Sequence, residues 1–207
     1  MGINTDNTDS KISLECQSDF NTDSREIINV FMCCRNNSET IDNTFDSFRK
    51  LQNELHNYKF VFYIYENDSE DDTPFKIINF FKKNWGSYSI QCHNTKLWHQ
   101  NRCIERIHNM VTYRNKNKDM CTDWENSKYS IIFDTNILFT ADVVSKMIKE
   151  LETHRDIAMV TPYGICTKAK QYYDTYALET MFHSNKLHPF KHKTEVISAF
   201  CGLVVVR

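Results

Sequence analysis

IINVFMCC, residues 27–34, is a short and almost wholly apolar run. A run of this length is typical of a strand that is buried on both faces of a parallel sheet. Ser38 follows as a candidate helix N-cap. Apolar residues then recur at the three- and four-residue spacing of an amphipathic helix, at Ile41, Phe45, Phe48, Leu51 and Leu55. The segment therefore predicts a buried strand followed by a helix that packs on the sheet.

The same alternation of strand and helix continues along the chain. Further strands are predicted at 59–66 (KFVFYIYE), 87–93, 128–134 (KYSIIFD), 156–162 and within 196–206, and further helices after Thr73-Pro74, at 101–117 and at 141–154. Their predicted inner faces carry Phe75, Ile78 and Phe81, then Ile104, Ile107, His108 and Val111, then Val144, Met147, Ile148 and Leu151. This order predicts a single α/β domain with a mainly parallel sheet and helices on both faces.

Composition limits the classes of protein that fit. The 207 residues include 25 Lys plus Arg against 27 Asp plus Glu, a net charge of -2, which argues against a nucleic-acid binder or a polybasic membrane-surface protein. No apolar run reaches about 18 residues, so no membrane span is expected. The eight cysteines form no Cys-x-x-Cys pair, which favours free thiols and a cytoplasmic location. Residues 1–25 are polar and are expected to be a disordered tail ahead of a domain at 26–207.

The residues that follow each strand are the candidates for function, because ligands bind outside the carboxyl ends of parallel strands. The first strand leads into Arg35-Asn36-Asn37, the second ends at Glu66, and the fourth ends at Asp134. Neither G-x-G-x-x-G nor G-x-x-x-x-G-K-[ST] occurs at these ends, which disfavours a dinucleotide site and a P-loop. Glu66 could accept hydrogen bonds from a ribose or a base.

Asp134 and Asn136 are two residues apart at a strand end, so their oxygens are expected on the same side of the chain. Oxygen ligands suit Mn²⁺ or Mg²⁺, which bridge to a diphosphate. The same two residues also fit a turn in which they satisfy backbone groups, and the sequence leaves both interpretations open. A zinc site at His183, His188 and His192 is a weaker alternative, because Pro189 disrupts helical spacing there.

Three arginines lie on the helix predicted at 101–117. Arg102 and Arg106 are four residues apart and share a face, and Arg114 lies two turns beyond Arg106. Arginine forks bind a diphosphate through paired hydrogen bonds. A solvated basic face is the plain alternative. Because this helix leads into the fourth predicted strand, we expect one or two of these side chains to point into the crevice at the strand ends.

Five segments resemble, in the same order, the Cap59-like α-1,3-mannosyltransferase family. They are IYENDSEDDT (64–73), RIHNMVTYRN (106–115), KYSIIFDTNILFTADVV (128–144), YYDTYAL (172–178) and FCGLVVVR (200–207). The resemblance implies a GT-A fold glycosyltransferase. Such an enzyme takes a hexose from a nucleotide-diphosphate sugar, here GDP-mannose or a UDP-sugar, to a glycan or glycoprotein acceptor, with Mn²⁺ or Mg²⁺.

The resemblance also implies a role for each matched residue. Asp134 and Asn136 would bind the metal, and Arg35 and Glu66 would bind the nucleoside. Arg106, Arg114 and Asn115 would lie near the diphosphate, and Asp174 would face the sugar or the acceptor. Arg114 would stabilise charge in the transition state, and Asp174, with Glu179 second, would be the base if the reaction inverts configuration. Two departures from the family are Asn136 in place of an Asp and Cys201-Gly202 without a Trp.

Two other functions remain open from the sequence. A sugar nucleotidyltransferase would also use metal-binding carboxylates on an α/β fold, but it normally carries a glycine-rich loop after the first strand, where this chain has CRNNSET. A non-catalytic nucleotide-sugar or glycan-binding module could keep the fold and lose turnover, which Asn136 would explain.

Overall fold

The computed structural model describes residues 11–17, 23–96, 104–162, 164–166, 171–172 and 202–207. The strands in this part of the chain are β1 (Lys11–Gln17), β2 (Glu26–Cys34), β3 (Tyr58–Asn67), β4 (Ser87–His93), β5 (Tyr129–Asp134), β6 (Met159–Val160), β7 (Ile165–Cys166), β8 (Gln171–Tyr172) and β9 (Leu203–Val206). The helices are α1 (Ile41–Glu54), α2 (Thr73–Asn84), α3 (Ile104–Asp119) and α4 (Ala141–Thr153), with a 3-10 turn at Trp124–Asn126.

Seven strands form one sheet in the order β1-β4-β3-β2-β5-β9-β6. The central four, β4-β3-β2-β5, run parallel, with Ile28 of β2 opposite Phe60 of β3 and Tyr129 of β5. Strand β1 is antiparallel to β4, and β9 is antiparallel to both β5 and β6. The mainly parallel α/β sheet is therefore confirmed, and the carboxyl ends of β2, β3 and β5 meet at one edge.

Helices cover both faces of the sheet, as predicted. On one face α1 packs between α2 and α4, and Phe48 of α1 meets Phe62 of β3 and Phe133 of β5 edge-to-face. On the other face α3 lies over β2 and β3, where Tyr113 stacks on Tyr65. Successive side chains of a strand point to opposite faces of the sheet, so neighbouring residues of β3 pack on different faces.

The predicted inner face of α2 is wrong only at Phe75, since Phe81 is buried and Ile78 packs against the core, whereas the predicted inner face of α3 is wrong throughout. In α2 the buried residues are Thr73, Ile77 and Phe81, whereas Phe75 is 67 % exposed. In α3 all four residues of the predicted inner face are exposed, namely Ile104, Ile107, His108 and Val111. The helix instead buries Tyr113 and Asn117, because its polar and arginine-bearing side is the one that meets the sheet edge.

Several predicted boundaries also differ from the structure. Helix α1 begins at Ile41 with Thr40 at its N-cap, so Ser38 is not the cap. The strand predicted at 156–162 is only Met159–Val160. Residues 196–201 and 101–103, parts of a predicted strand and a predicted helix, lie outside the described residues.

The expected tail is wrong for Lys11–Gln17, which pair with β4 as an edge strand. KISLECQ alternates polar and apolar residues, a period-2 signal that a polar composition hides. Leu14 packs against the core, and backbone hydrogen bonds to β4 order the rest of the strand. For the remaining residues, the division into a tail and a domain at 26–207 stays a prediction.

Two further findings concern the chain's chemistry. Cys16, Cys33, Cys34, Cys92 and Cys121 all carry free thiols. None of the helices described above combines the length and the apolar character needed to cross a bilayer.

Candidate active site at the carboxyl ends of the strands

A cavity of about 130 Å³ opens where β2, β3 and β5 end. It is lined by Cys33, Cys34, Arg35, Asn37, Asn67, Arg106, Met110, Tyr113, Arg114, Asp134, Thr135 and Asn136. We call it the strand-end cavity. Five of the residues predicted to form the site therefore lie together: Arg35, Arg106, Arg114, Asp134 and Asn136.

The floor of this cavity is built on Asn37. Its Oδ1 accepts hydrogen bonds from the Arg35 backbone N–H (2.9 Å) and the Thr135 hydroxyl, and its Nδ2 donates to the Thr135 carbonyl (3.3 Å). The Asn37 backbone N–H donates to Thr73 Oγ1 at 2.7 Å. Asn37 and Thr135 are both buried, so this network fixes the loops after β2 and β5 to the start of α2.

Three arginines from two elements line the cavity. Arg114 Nη2 donates to Asp134 Oδ2 at 2.7 Å, and Arg35 Nε donates to the Asp68 carbonyl at 3.2 Å. Arg106 lies two turns before Arg114 on α3 and faces the same space. This concentration of positive charge suits a diphosphate. Arg102 lies outside the described residues.

Asp134 is held in place through its backbone as well as its side chain. Its N–H donates to the Gly202 carbonyl at 2.8 Å. Gly202 has φ +84, and a Cβ added there would lie 3.2 Å from the Ile137 side chain, so glycine fits this position best. Gly202 therefore positions Asp134, a role that the sequence did not predict.

The described residues of the strand-end cavity can offer a divalent cation two side-chain oxygen ligands, from Asp134 and Asn136. Asp134 offers a carboxylate and the exposed Asn136 an amide oxygen, while the described residues contain no group of three His, Cys, Asp or Glu that could hold a metal. A hard cation takes six or more oxygens, so a diphosphate and water would supply the others. Arg114 engages the same carboxylate that the cation would use.

Glu66 does not line the cavity. It is 3 % exposed, and its Oε1 accepts a hydrogen bond from the Ser69 N–H at 3.0 Å. Burial raises the pKa of Glu66, and the hydrogen bond from Ser69 only partly offsets this. The structure thus uses Glu66 to hold the loop after β3, while Asn67 faces the cavity.

Tyr113 lines the cavity and stacks on Tyr65, and no sequence pattern indicated this aromatic pair. The Tyr113 hydroxyl lies 3.2 Å from Thr95 Oγ1, and the Tyr65 hydroxyl lies 3.0 Å from His93 Nδ1. Burial raises the pKa of both tyrosines, so they remain neutral. Burial and then the nearby Asp134 carboxylate raise the pKa of Cys33 to about 12, which excludes this thiol as a nucleophile near neutral pH.

The acidic loop after β3 binds the first residue of α2 and fixes neighbouring loops. Asp71 accepts hydrogen bonds from the backbone N–H groups of Ser38 (3.0 Å) and Thr73 (2.9 Å). Asp68 accepts from the Thr95 hydroxyl at 2.6 Å and the Lys96 N–H at 2.8 Å. The carboxylates of this loop are therefore used to hold backbone groups of neighbouring segments.

Asp71→Ala is expected to lower the free energy of unfolding by about 1–2 kcal/mol near neutral pH. Burial favours a raised pKa, but the hydrogen bonds from Thr73 and Ser38 outweigh it and lower the pKa of Asp71 to about 2. This value lies below the usual 3.8, so the stabilisation is complete above that pH and is lost as pH falls towards about 2. Urea unfolding at several pH values measures it. Asp46→Ala, on an exposed residue, is the control, and equal losses for both variants would contradict the assignment.

Of the predicted residues that remain, only Asn115 lies within the described part of the chain. Asn115 lines a second cavity of about 600 Å³ on the α3 face of the sheet. Asp174 and Glu179 lie outside the described residues, as do the three histidines of the zinc alternative. Their predicted roles are untested.

A mainly parallel sheet with an Asp-x-Asn element after β5 and an arginine-bearing helix beside it matches the GT-A fold. A family model described as Cryptococcal mannosyltransferase 1 matches residues 28–201, and the chain belongs to this family. The resemblance found in the sequence is thereby confirmed. No curated protein sequence matches the chain significantly.

Two solved structures are similar to this chain. The mannosyltransferase PcManGT from Pyrobaculum calidifontis, in complex with GDP-Man and Mn²⁺, aligns with a TM-score of 0.52 at 14 % identity, over 88 % of this chain and 44 % of its own. The glucosyl-3-phosphoglycerate synthase of M. tuberculosis aligns with a TM-score of 0.43 at 15 % identity, over 70 % and 48 %. The chain thus spans less than half the length of either protein.

Proposed function

We propose that this protein transfers a hexose from a nucleotide-diphosphate sugar to a hydroxyl group of a glycan or glycoprotein acceptor. The observation that carries the proposal is the convergence of Arg35, Arg106 and Arg114 with Asp134 on one cavity at the strand ends. A diphosphate is the part of such a donor that needs this charge. Family membership supports the same chemistry, and GDP-mannose or a UDP-sugar is the proposed donor.

The three arginines would bind the diphosphate and so fix the position of the anomeric carbon. Asp134 and Asn136 would hold Mn²⁺ or Mg²⁺, which neutralises charge on the leaving diphosphate when bound. Arg114 can add a second positive charge beside the diphosphate, because its guanidinium already contacts the Asp134 carboxylate. Tyr113 and Asn67 would contact the nucleoside side of the donor, next to Arg35. Asp174 remains the proposed acceptor-side residue.

A non-catalytic nucleotide-sugar-binding module is the second candidate. Asn136 favours it, because an amide replaces the second carboxylate that the family has at this position. Binding of donor without transfer or hydrolysis would support this candidate.

The experiment that tests the proposed function is a panel of nucleotides and sugar nucleotides with and without Mn²⁺. A ligand at about 100 times its dissociation constant is expected to stabilise the fold by about 2.7 kcal/mol, which raises the melting temperature by about 5 °C or more. GDP, UDP, GDP-mannose and UDP-glucose are compared, and chromatography then measures nucleoside diphosphate release from the best donor. Absence of stabilisation by every nucleotide would overturn the proposal.

A further inference from the structure

The second cavity, which we call the α3 cavity, shares a wall with the strand-end cavity. Cys33, Arg114 and Asp134 line both spaces, so the two cavities meet at the Arg114–Asp134 ion pair. The α3 cavity lies between α3 and the sheet face that carries Phe31 and Ile132, which are opposite each other on β2 and β5. Its volume of about 600 Å³ is in the usual range for a small-molecule site.

Asn117 gives this cavity an unsatisfied polar group. The side chain is 2 % exposed, its Nδ2 donates weakly to Cys33 Sγ at 3.8 Å, and its Oδ1 has no hydrogen-bond partner within the described structure. A buried acceptor without a partner is destabilising, and such groups are rare in folded proteins. A ligand hydroxyl in the α3 cavity would satisfy Oδ1.

Trp124 gives the cavity an aromatic platform. Its side chain is 48 % exposed, although tryptophan usually buries most of its surface, and Lys118 Nζ lies 5.1 Å from the ring centroid. Glu125 and Ser127 add polar groups to the lining of the cavity. An apolar surface beside hydrogen-bonding groups matches a pyranose, which presents C–H bonds on its faces and hydroxyls around its rim.

We propose that the α3 cavity binds the saccharide acceptor, with Trp124 under a sugar ring and Asn117 Oδ1 accepting from a sugar hydroxyl. This inference rests on the proposed function. The reacting hydroxyl would lie at the Arg114–Asp134 wall, beside the anomeric carbon of the donor. Its oxygen bonds to that carbon and its proton leaves to water, while the bond from the carbon to the diphosphate oxygen breaks and leaves its electron pair on the diphosphate.

The test uses the full chain and methyl glycosides of mannose, glucose, galactose and xylose as probes. Each is titrated in the presence of GDP or UDP and Mg²⁺, and the indole N–H resonance of Trp124 is followed by NMR. Trp124→Phe identifies this resonance by its loss. At least one glycoside is expected to shift it, and Trp124→Ala is expected to weaken binding of that glycoside about tenfold or more.

Asn117→Leu is the second variant, because leucine has a similar shape and leaves no buried polar atom. It is expected to keep or raise the melting temperature, to weaken glycoside binding about tenfold or more, and to leave nucleotide affinity unchanged. Asn53→Leu, on the exposed side of α1 across the sheet, is the matched control and is expected to change neither affinity.

The possible results separate this inference from the proposed function. Unchanged glycoside affinity in Asn117→Leu, or no glycoside that shifts the Trp124 resonance while a nucleotide binds, would overturn the acceptor site alone. Equal loss of nucleotide and glycoside affinity in Asn117→Leu would also overturn it, since the cavity would then belong to the donor. Failure of every nucleotide to bind would overturn both.

Discussion

Asp134→Ala is expected to reduce Mn²⁺-dependent nucleotide binding by about 100-fold or more, because it removes the one charged oxygen ligand that the strand-end cavity offers a cation among its described residues. The fold is expected to survive, since the side chain is 21 % exposed and a partly exposed ion pair stabilises by about 0–1 kcal/mol. Titration calorimetry with and without Mn²⁺ measures the effect. Cation and nucleotide are expected to bind with positive coupling in the wild type and without coupling in the variant.

The control for this variant is Asp142→Ala. Asp142 also pairs with a cationic side chain, Lys146 at 2.8 Å, but it lies on the surface of α4. Asn136→Asp is expected to hold or strengthen cation binding, because it adds a charge at the second ligand position. Wild-type affinity of Asp134→Ala in Mn²⁺ would show that Asp134 serves only as the ion-pair partner of Arg114.

Arg114→Ala is expected to lower turnover by about 100- to 1000-fold, the usual loss when one group that stabilises transition-state charge is removed. Arg114→Lys is expected to restore only part of it, because an ammonium group cannot make the paired hydrogen bonds of a guanidinium. Both changes release the Asp134 carboxylate from its 2.7 Å contact. Cation binding without nucleotide is therefore expected to become tighter while turnover falls.

These opposite signs distinguish a catalytic role from a structural one. A variant that merely disturbed α3 would lose cation binding and turnover together. Arg49→Lys is the matched control, since Arg49 pairs with the exposed Asp46 on α1, away from both cavities. If Arg114→Lys and Arg49→Lys had the same kcat/KM, Arg114 would not bind the diphosphate and the assignment would be wrong.

The central sheet could be predicted because strands buried on both faces are apolar almost throughout, as in KFVFYIYE. The arginines of the cavity could be predicted because they follow a strand end or share one helix face. Glu66 could not be placed, because the sequence does not fix the residue at which the strand ends. In the structure β3 runs one residue further, to Asn67, which lines the cavity, whereas Glu66 is buried beside its partners Cys34 and Cys92.

The network on Asn37 could not be predicted for a different reason. Asn37 and Thr135 are far apart in sequence, and their hydrogen bonds exist only after two loops have met at the sheet edge. The orientation of α3 is a similar case. Its apolar residues repeat at helical spacing, but tertiary packing turns Tyr113 and Asn117 to the sheet instead.

The antiparallel insertion of β9 between β5 and β6 has a consequence for the order of folding. The four parallel strands are complete once Asp134 has been synthesised, whereas the partner of β5 on its other side begins only at Leu203. At about 5–20 residues per second, ribosomes leave the apolar β5 edge unpaired for several seconds. An open edge of this kind invites pairing with other chains, so nascent protein is most exposed to aggregation and to chaperones in that interval.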